Sequence, residues 1–213
     1  MSRLLAGASG WSYPSWRPGF YPSGARAEEF LTLYGERLPA VELNATGYRL
    51  PAPGQFRRWA EQVPDGFRFA VKAPPLTLRR PDVALERVRE LGDRLGCVRV
   101  VVESPHDEEL VERLLSAFQG TRLALDLRHE SWNAAEAQLR QTGVVRVGDW
   151  DAPAVWRYLR FREPPYDDDA LLAIAARLRP LLDSRIEVFA FFRHELEPTA
   201  PVTALRLLDL LGR

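Results

Sequence analysis

The stretch "FRFAVKAPP" (residues 67–75) contains an apolar run that predicts a buried strand and a lysine that suggests a functional site. Residues 67–72 form a short apolar run of the length of one buried β-strand, and two prolines follow it. The run ends at Lys72, the only lysine in a chain with 29 lysine and arginine residues in total. A charged side chain at the end of a buried strand is typical of a functional site in an α/β protein.

Similar runs of apolar or alternating residues occur along the whole chain, and together they predict eight β-strands. Each run is short and is followed by polar residues, as expected where a strand leaves the core. The runs are "LLAGAS" (4–9), "AVELNA" (40–45), "FRFAVK" (67–72), "CVRVVVE" (97–103), "RLALDLR" (122–128), "VVRVGD" (144–149), "VWRYLRF" (155–161) and "IEVFAFF" (186–192).

Between most of these runs lie segments with apolar residues three and four positions apart, a spacing that predicts amphipathic helices. Two of the segments begin with acidic residues, which the positive end of the helix dipole favours. Only the sixth and seventh runs are joined by a tight connection, "WDAPA" (150–154). The predicted helices cover residues 25–38, 81–95, 106–118, 167–182 and 198–212.

Eight strands alternating with helices predict a compact (β/α)₈ TIM barrel, with a short connection between strands six and seven. Such barrels typically have about 250 residues, so a chain of 213 residues is expected to form a single domain over 1–213. A doubly wound open sheet is the competing architecture. It is disfavoured because the sequence contains no G-x-G-x-x-G loop for a nucleotide.

Bulk composition limits the classes of partner. The formal net charge is zero, so no overall field draws the protein to nucleic acid or to an anionic membrane. A single cysteine, Cys97, lies inside an apolar run and is expected to be a buried free thiol. We find neither an apolar segment of membrane-spanning length nor a signal peptide in the sequence, and we therefore expect a cytoplasmic protein. The oligomeric state is left open.

The candidate catalytic residues are Glu42, Lys72 and Asp126, each at or near the end of a predicted strand. In a TIM barrel the active site forms at this carboxyl-terminal end of the strands. Glu42 interrupts an apolar strand, where a carboxylate needs a partner, and Lys72 on the neighbouring strand is the expected one. Two interpretations stay open: an ion pair that only closes the barrel, or a pair that binds substrate and transfers protons.

The lysine itself suggests chemistry that arginine does not offer. A compact ammonium contacts a carboxylate or phosphate as a point charge and loses its proton more readily when desolvated. Burial would therefore also allow Lys72 to form a Schiff base with a carbonyl substrate. The alternative is that one lysine has simply escaped a compositional drift towards arginine.

Further residues near strand ends are expected to bind the substrate. Arginines there would hold an anion, and aromatic side chains would stack on a sugar or a base. Their competing roles are structural: an Asp126–Arg128 ion pair, an exposed loop histidine, and aromatic packing on the core. The candidate substrate-binding residues are Trp11, Asn44, Tyr48, Arg49, Arg128, His129, Trp132, Asp149 and Arg160.

No cofactor is predicted. The three histidines fall in separate segments without the spacing of a zinc motif. A metal held by Glu42, Asp126, His129 and Asp149 is a minor alternative. These residues lie on or after different predicted strands, whose carboxyl-terminal ends would meet at the barrel mouth.

Four motifs resemble the YecE-like family, also called domain of unknown function 72. They are "GASGWSYPSWRPGFYP" (7–22), "VELNATGYRLP" (41–51), "VPDGFRFAVKAP" (63–74) and "LDLRHESW" (125–132), in the family's order. The resemblance implies a TIM-barrel fold and carries no settled activity. The family motif positions correspond here to Gly10, Trp11, Tyr13, Trp16, Tyr21, Pro22, Glu42, Asn44, Thr46, Tyr48, Arg49, Lys72, Arg128, His129, Ser131 and Trp132.

The sequence departs from the family pattern at three places. Gly47 stands where an aromatic residue is usual. The seventh strand continues as "YLRFREPPY" (158–166) instead of a histidine–glycine pair, and the eighth as "FFRHELEP" (191–198) instead of an asparagine pair. The departures predict an altered barrel mouth on the side of strands seven and eight.

These features predict an enzyme that acts on a small anionic substrate, a phosphorylated sugar or a nucleotide-like compound. The predicted mechanism is acid–base chemistry at the barrel mouth, with hydrolase, lyase and isomerase reactions all open. Two alternatives remain: a non-catalytic module that binds nucleic acid or a metabolite, and a degenerate barrel without activity.

Overall fold

The computed structural model describes residues 3–134 and 136–212. A β-strand overlaps each of the eight apolar runs, which confirms the predicted strand count for the described residues; the fourth strand begins two residues before its run. The strands are β1 (Leu4–Ala8), β2 (Ala40–Leu43), β3 (Arg68–Lys72), β4 (Leu95–Val102), β5 (Leu123–Leu127), β6 (Val145–Arg146), β7 (Trp156–Phe161) and β8 (Glu187–Phe192).

All paired strands run parallel, as expected for strands joined by helical crossovers. The ladder hydrogen bonds join them into two sheets, one of order β1-β8-β7 and one of order β2-β3-β4-β5-β6. The predicted α/β class with parallel sheets is thus confirmed. Closure of the eight strands into one barrel stays a prediction, because the described ladders stop between β1 and β2 and between β6 and β7.

The two sheets nevertheless touch at both junctions. The Tyr34 hydroxyl lies between β1 and β2, where it accepts from Ala8 N at 2.7 Å and donates to Ala40 O at 3.0 Å. Gly7 makes this close approach feasible, since a Cβ there would lie 1.9 Å from Ala40 O. At the other junction, Gly148 N just after β6 donates to Tyr158 O of β7 at 2.8 Å.

Helices follow most of the strands and include all five that the sequence predicts. Two further short helices, Gln55–Ala60 and Glu136–Arg140, were not predicted, and the 147–155 connection between β6 and β7 contains none. The helices are α1 (Phe30–Gly35), α2 (Gln55–Ala60), α3 (Pro81–Val88), α4 (Glu108–Ala117), α5 (Glu136–Arg140), α6 (Asp168–Asp183) and α7 (Thr199–Leu210). Among the residues described, we find no helix with the length and apolar character to cross a membrane.

Two clusters of buried apolar side chains form the core. The larger one packs the strands against the helices. The smaller one takes at least one side chain from every strand and consists of Leu5, Ala40, Ala70, Cys97, Ala124, Val145, Trp156, Tyr158, Phe189 and Phe191. On β2 and β5 the next residue of the same face is charged, Glu42 after Ala40 and Asp126 after Ala124, because side chains alternate along a strand. The face that carries the smaller cluster therefore turns from apolar to charged towards the carboxyl ends of these strands.

Candidate functional site

Glu42 is the centre of the buried polar network. Its side chain is fully buried, and both carboxylate oxygens accept two hydrogen bonds. Oε1 accepts from Arg99 Nη1 at 2.9 Å and from the Tyr158 hydroxyl at 2.6 Å. Oε2 accepts from the Ser9 hydroxyl at 2.7 Å and from Arg160 Nη2 at 2.9 Å. The carboxylate belongs to β2, and its hydrogen-bond donors come from β4, from β7 and from the residue that follows β1.

These contacts decide the charge state of Glu42. Burial alone would raise its pKa, but the charges of Arg99 and Arg160 and the hydrogen bonds from the two hydroxyls hold the pKa below the ordinary value of 4.5. Glu42 is therefore ionised near neutral pH. A carboxylate that is this well stabilised is a weak base, so its chemistry is to position the two arginines.

Arg99 extends the network to Asp126. Its guanidinium donates to Asp126 Oδ2 from Nε at 3.1 Å and from Nη2 at 2.6 Å. Burial raises the pKa of Asp126, but Arg99 and Arg128 outweigh it and lower the pKa below 3.8. The predicted Asp126–Arg128 contact exists as a long ion pair of 3.4 Å. Glu42 and Asp126 are thus linked through one guanidinium, which is 1% exposed.

The predicted Glu42–Lys72 ion pair is wrong. Among the described residues, the basic partners of Glu42 are Arg99 and Arg160. Lys72 lies beside Arg99 in the strand register, and the longer arginine reaches across from β4 to take the carboxylate. The Lys72 ammonium instead lies 5.2 Å from the centre of the Tyr48 ring.

The surroundings of Lys72 destabilise its charged form. Desolvation, followed by the nearby charge of Arg99, lowers its pKa below the ordinary value of 10.5. Its aliphatic chain packs on Gly47, where a Cβ would lie 2.4 Å from Lys72 Cδ. A residue larger than glycine at position 47 would therefore have to displace the lysine chain.

Lys72 and Arg128 line a pocket of about 350 Å³, which we call the anion pocket. Tyr48 forms one wall and is 82% exposed. The carboxylate in this pocket, Glu103, is 3.7 Å from Arg128 and has a side chain that is 76% exposed. The pocket is lined by Gly47, Tyr48, Lys72, Ala73, Pro75, Leu78, Val101, Glu103, Ser104 and Arg128.

Three predicted binding residues have structural contacts instead. Trp132 is fully buried and donates through Nε1 to Ser104 O at 2.9 Å, so it is not available to stack on a ligand. His129 caps the turn 130–133 by accepting from Ser131 N at 3.2 Å. Asp149 forms an ion pair of 3.2 Å with Arg140 of α5. The strand-six loop turns Asp149 towards that helix, so it does not join the ring around Glu42.

The minor metal alternative is also corrected. Glu42 and Asp126 share Arg99, while His129 and Asp149 have the separate partners given above. Within the part of the chain that the structure describes, no group of three or more metal-ligating side chains converges.

The remaining predicted residues lie in different surroundings. The Arg160 side chain is only 8% exposed, and its Nη2 donates to Glu42. It therefore belongs to the buried network and not to an open pocket. Arg49 is exposed, with no ion pair to another described residue. Trp11 and Asn44 line a separate cleft of about 510 Å³ between the ends of β1 and β2.

Sequence reasoning missed two members of the network, Arg99 and Tyr158. A signal for Arg99 was present: an arginine in the middle of "CVRVVVE" interrupts a buried strand just as Glu42 does. Tyr158 gave no such signal, because tyrosine is common in apolar strands and its hydroxyl partner comes from a distant strand. Two opposite charges in mid-strand positions predict each other more directly than a charge at a strand end.

The chain is similar in sequence to known proteins. It is 41% identical over 165 residues to the UPF0759 protein YecE of Escherichia coli strain K12, an overlap of 68% of this chain and 58% of that protein. The chain thus matches somewhat more than half the length of this curated relative. The family described as "Protein of unknown function DUF72" matches residues 5–213.

Solved structures agree on the fold. A DUF72 family protein from Thermotoga maritima MSB8 has a TM-score of 0.81 at 21% identity, covering 99% of this chain and 100% of that one. Another from Enterococcus faecalis V583 has a TM-score of 0.78 at 14% identity, covering 100% and 99%. With the family match over nearly the whole length, the conclusion is that this chain belongs to the DUF72 family.

Proposed function

We propose that the protein is an enzyme that binds a small anionic substrate, such as a phosphorylated compound, in the anion pocket. The observation that carries the proposal is the local charge balance. Glu42 and Asp126 are already neutralised by Arg99 and Arg160, while Lys72 and Arg128 face an open pocket. Glu103 in the same pocket offsets one of these two charges, and the one positive charge left over attracts an anion, although the net charge of the whole chain is zero.

The same network supports one closed (β/α)₈ barrel forming a single domain. Glu42 of β2 bonds to Tyr158 and Arg160 of β7, which belongs to the other sheet. The inner core cluster also takes side chains from all eight strands. Because a buried carboxylate is stable only while its partners stay in place, these bonds hold the two sheets together across the enclosed space.

Lys72 is the proposed proton-transferring residue. The pKa values of Glu42 and Asp126 are lowered, so both carboxylates are weak bases, whereas the pKa of Lys72 is shifted towards neutrality. A lysine amine with a lowered pKa releases and accepts a proton more readily near working pH. In this mechanism Arg128 holds the anion, Lys72 moves the proton, and Arg99 fixes the surrounding charges.

Isothermal titration calorimetry with inorganic phosphate and ribose 5-phosphate tests the binding step. Lys72→Met and Arg128→Gln should each weaken binding by roughly tenfold or more, because each removes a charged hydrogen-bond donor. Arg89→Gln is the matched control, since Arg89 is exposed and lies outside the pocket. Unchanged affinity in both pocket variants, or no binding of either probe to the wild type, would contradict the proposal.

Lys72→Arg separates charge from proton transfer. It keeps the positive charge but replaces a titratable amine by a group that stays protonated. We expect this variant to bind phosphate within a few-fold of wild type and to lose turnover in a screen of phosphorylated sugars. Full turnover in Lys72→Arg would exclude Lys72 as the proton-transferring group.

A further inference from the structure

We propose that the cleft between the ends of β1 and β2 is a second binding site, for an uncharged ring with hydrogen-bonding edges such as a pyranose or a nucleobase. We call it the ring cleft; it is lined by Gly10, Trp11, Ser12, Tyr13, Ala27, Glu28, Leu31, Leu43, Asn44, Ala45, Thr46, Gln55, Trp59 and Gln62. Its volume of about 510 Å³ lies in the range of small-molecule sites. The inference goes beyond the anion pocket, which shares none of these side chains.

The aromatic walls of the ring cleft are held in fixed positions. Trp11, after β1, packs edge-on against Trp59 near the end of α2, with ring centres 5.2 Å apart at 84°. Tyr13 stacks on His194 at 4.7 Å and 14°, and its hydroxyl donates to Ser9 O at 3.2 Å. A rigid aromatic wall loses little entropy when a flat ligand stacks on it.

Gly10 is part of this arrangement. Its φ is +112°, and a Cβ on it would lie 2.6 Å from the Tyr13 hydroxyl oxygen. Any larger residue would therefore push the tyrosine from its place.

Three side-chain amides line the ring cleft: Asn44, Gln55 and Gln62. The Asn44 carboxamide has no hydrogen-bond partner among the described residues. Gln55 Oε1 accepts from Arg58 at 2.8 Å, and Gln62 Nε2 donates to Arg58 O at 3.0 Å. Each glutamine therefore retains one polar group, an NH₂ on Gln55 and a carbonyl on Gln62, for another partner.

The charges of the cleft argue for an uncharged ligand. No lysine or arginine belongs to its lining. Glu28 is the acidic member; its side chain is 67% exposed and forms a 3.2 Å ion pair with Arg26. Amides donate and accept alike, and aromatic faces bind apolar ring surfaces, so together they select a neutral ring with an apolar face and polar edges.

The test is fluorine NMR of the protein labelled with 5-fluorotryptophan, which reports on each of the six tryptophans. The probes are methyl β-D-glucopyranoside for a sugar and adenosine for a base. We expect at least one of them to shift the signals of Trp11 and Trp59, and the probe that does so identifies the ring. The inference would be overturned if neither tens of millimolar glucoside nor millimolar adenosine shifted the signals of Trp11 and Trp59.

Two variants locate the binding. Trp11→Ala should lower the affinity for the probe that shifts the signals by at least about fivefold, which is the lower end of the loss expected when one stacking side chain is removed. Asn44→Leu should also lower the affinity for this probe, and it leaves the tryptophans in place. It therefore tests the site even if Trp11→Ala unfolds the protein. Trp150→Ala is the matched control, because Trp150 packs under Arg177 at 4.0 Å outside the cleft. Equal affinity in the control and in both cleft variants would also overturn the inference.

This experiment is independent of the phosphate titration. Lys72→Met should weaken phosphate binding by roughly tenfold or more and leave binding of the neutral probe unchanged. If Lys72→Met no longer bound the neutral probe, the ring cleft would not be a separate site. If phosphate did not bind to the wild type, only the anion pocket would be contradicted.

Discussion

Replacing Glu42 by glutamine should destabilise the fold more than almost any other isosteric change in the chain. Glutamine keeps the shape but loses the negative charge, and one carboxylate oxygen becomes an NH₂ group. Since all four partners of Glu42 donate hydrogen bonds to it, the NH₂ would face two donors whichever way the amide turns. Arg160 loses its one carboxylate partner, whereas Arg99 still pairs with Asp126.

The expected magnitude follows from the buried ion pair. Removing one member of such a pair leaves an uncompensated charge and costs about 3–5 kcal/mol. In a protein of 213 residues this corresponds to a fall in Tm of roughly 6–20 °C. The loss is a large part of a typical free energy of unfolding of about 5–15 kcal/mol.

Guanidinium chloride unfolding at pH 7, followed by circular dichroism, measures the effect. Glu103→Gln is the control; its side chain is 76% exposed, so its free energy of unfolding should change by less than about 0.5 kcal/mol. The double variant Glu42→Gln/Arg160→Met should lose less than the sum of the single variants, because the uncompensated guanidinium is gone. A loss below about 1 kcal/mol in Glu42→Gln would refute the view that this carboxylate is essential to the buried network.

Three further predictions concern the junction, the acid limit and the thiol. Tyr34→Phe should cost about 1–3 kcal/mol and speed hydrogen exchange at the Ala8 amide, because that buried N–H loses its acceptor; no change beyond that of Tyr48→Phe, at an exposed tyrosine, would contradict this. Since the pKa of Glu42 is lowered in the folded state, its contribution is present above pH 4.5 and is lost as the pH falls below that value; an acid-unfolding curve of Glu42→Gln as steep as that of wild type would argue against it. Burial raises the pKa of the Cys97 thiol well above 9.0, so Ellman's reagent should react only after denaturation, and rapid reaction of the native protein would disprove this.

The strands were predictable because each is a short apolar run with polar residues after it. In a parallel sheet covered on both faces, burial alone specifies such a run, and the eight segments show it without tertiary information. The helix α2 was missed for a local reason. It begins after Gly54, which has a φ of +75° and no capping side chain, and its six residues are too few to repeat the helical spacing of Phe56 and Trp59. Packing of Phe56 and Trp59 against the core, which the sequence does not display, stabilises it.

The candidate site was predictable in position but not in pairing. Glu42, Lys72 and Asp126 do lie towards the carboxyl ends of the strands, where the strand rule places them. Which cation reaches Glu42 depends on strand register and side-chain length, and Arg99 was not considered. Trp132 shows the opposite difficulty, because an aromatic residue in a loop has the same appearance in the sequence whether it covers the core or faces a ligand.

The single lysine makes the anion pocket directly observable. Reductive methylation with ¹³C-formaldehyde labels Lys72, the only lysine of the chain, and the N-terminal amine. The Lys72 NMR signal is the one that disappears in Lys72→Met, and it can be followed against pH and inorganic phosphate. We predict a titration midpoint below 10.5, because desolvation and Arg99 disfavour the charged amine, and a shift of the signal on adding phosphate that is lost in Arg128→Gln. A midpoint at or above 10.5 together with no response to phosphate would contradict both the proton-transferring role of Lys72 and the anion pocket.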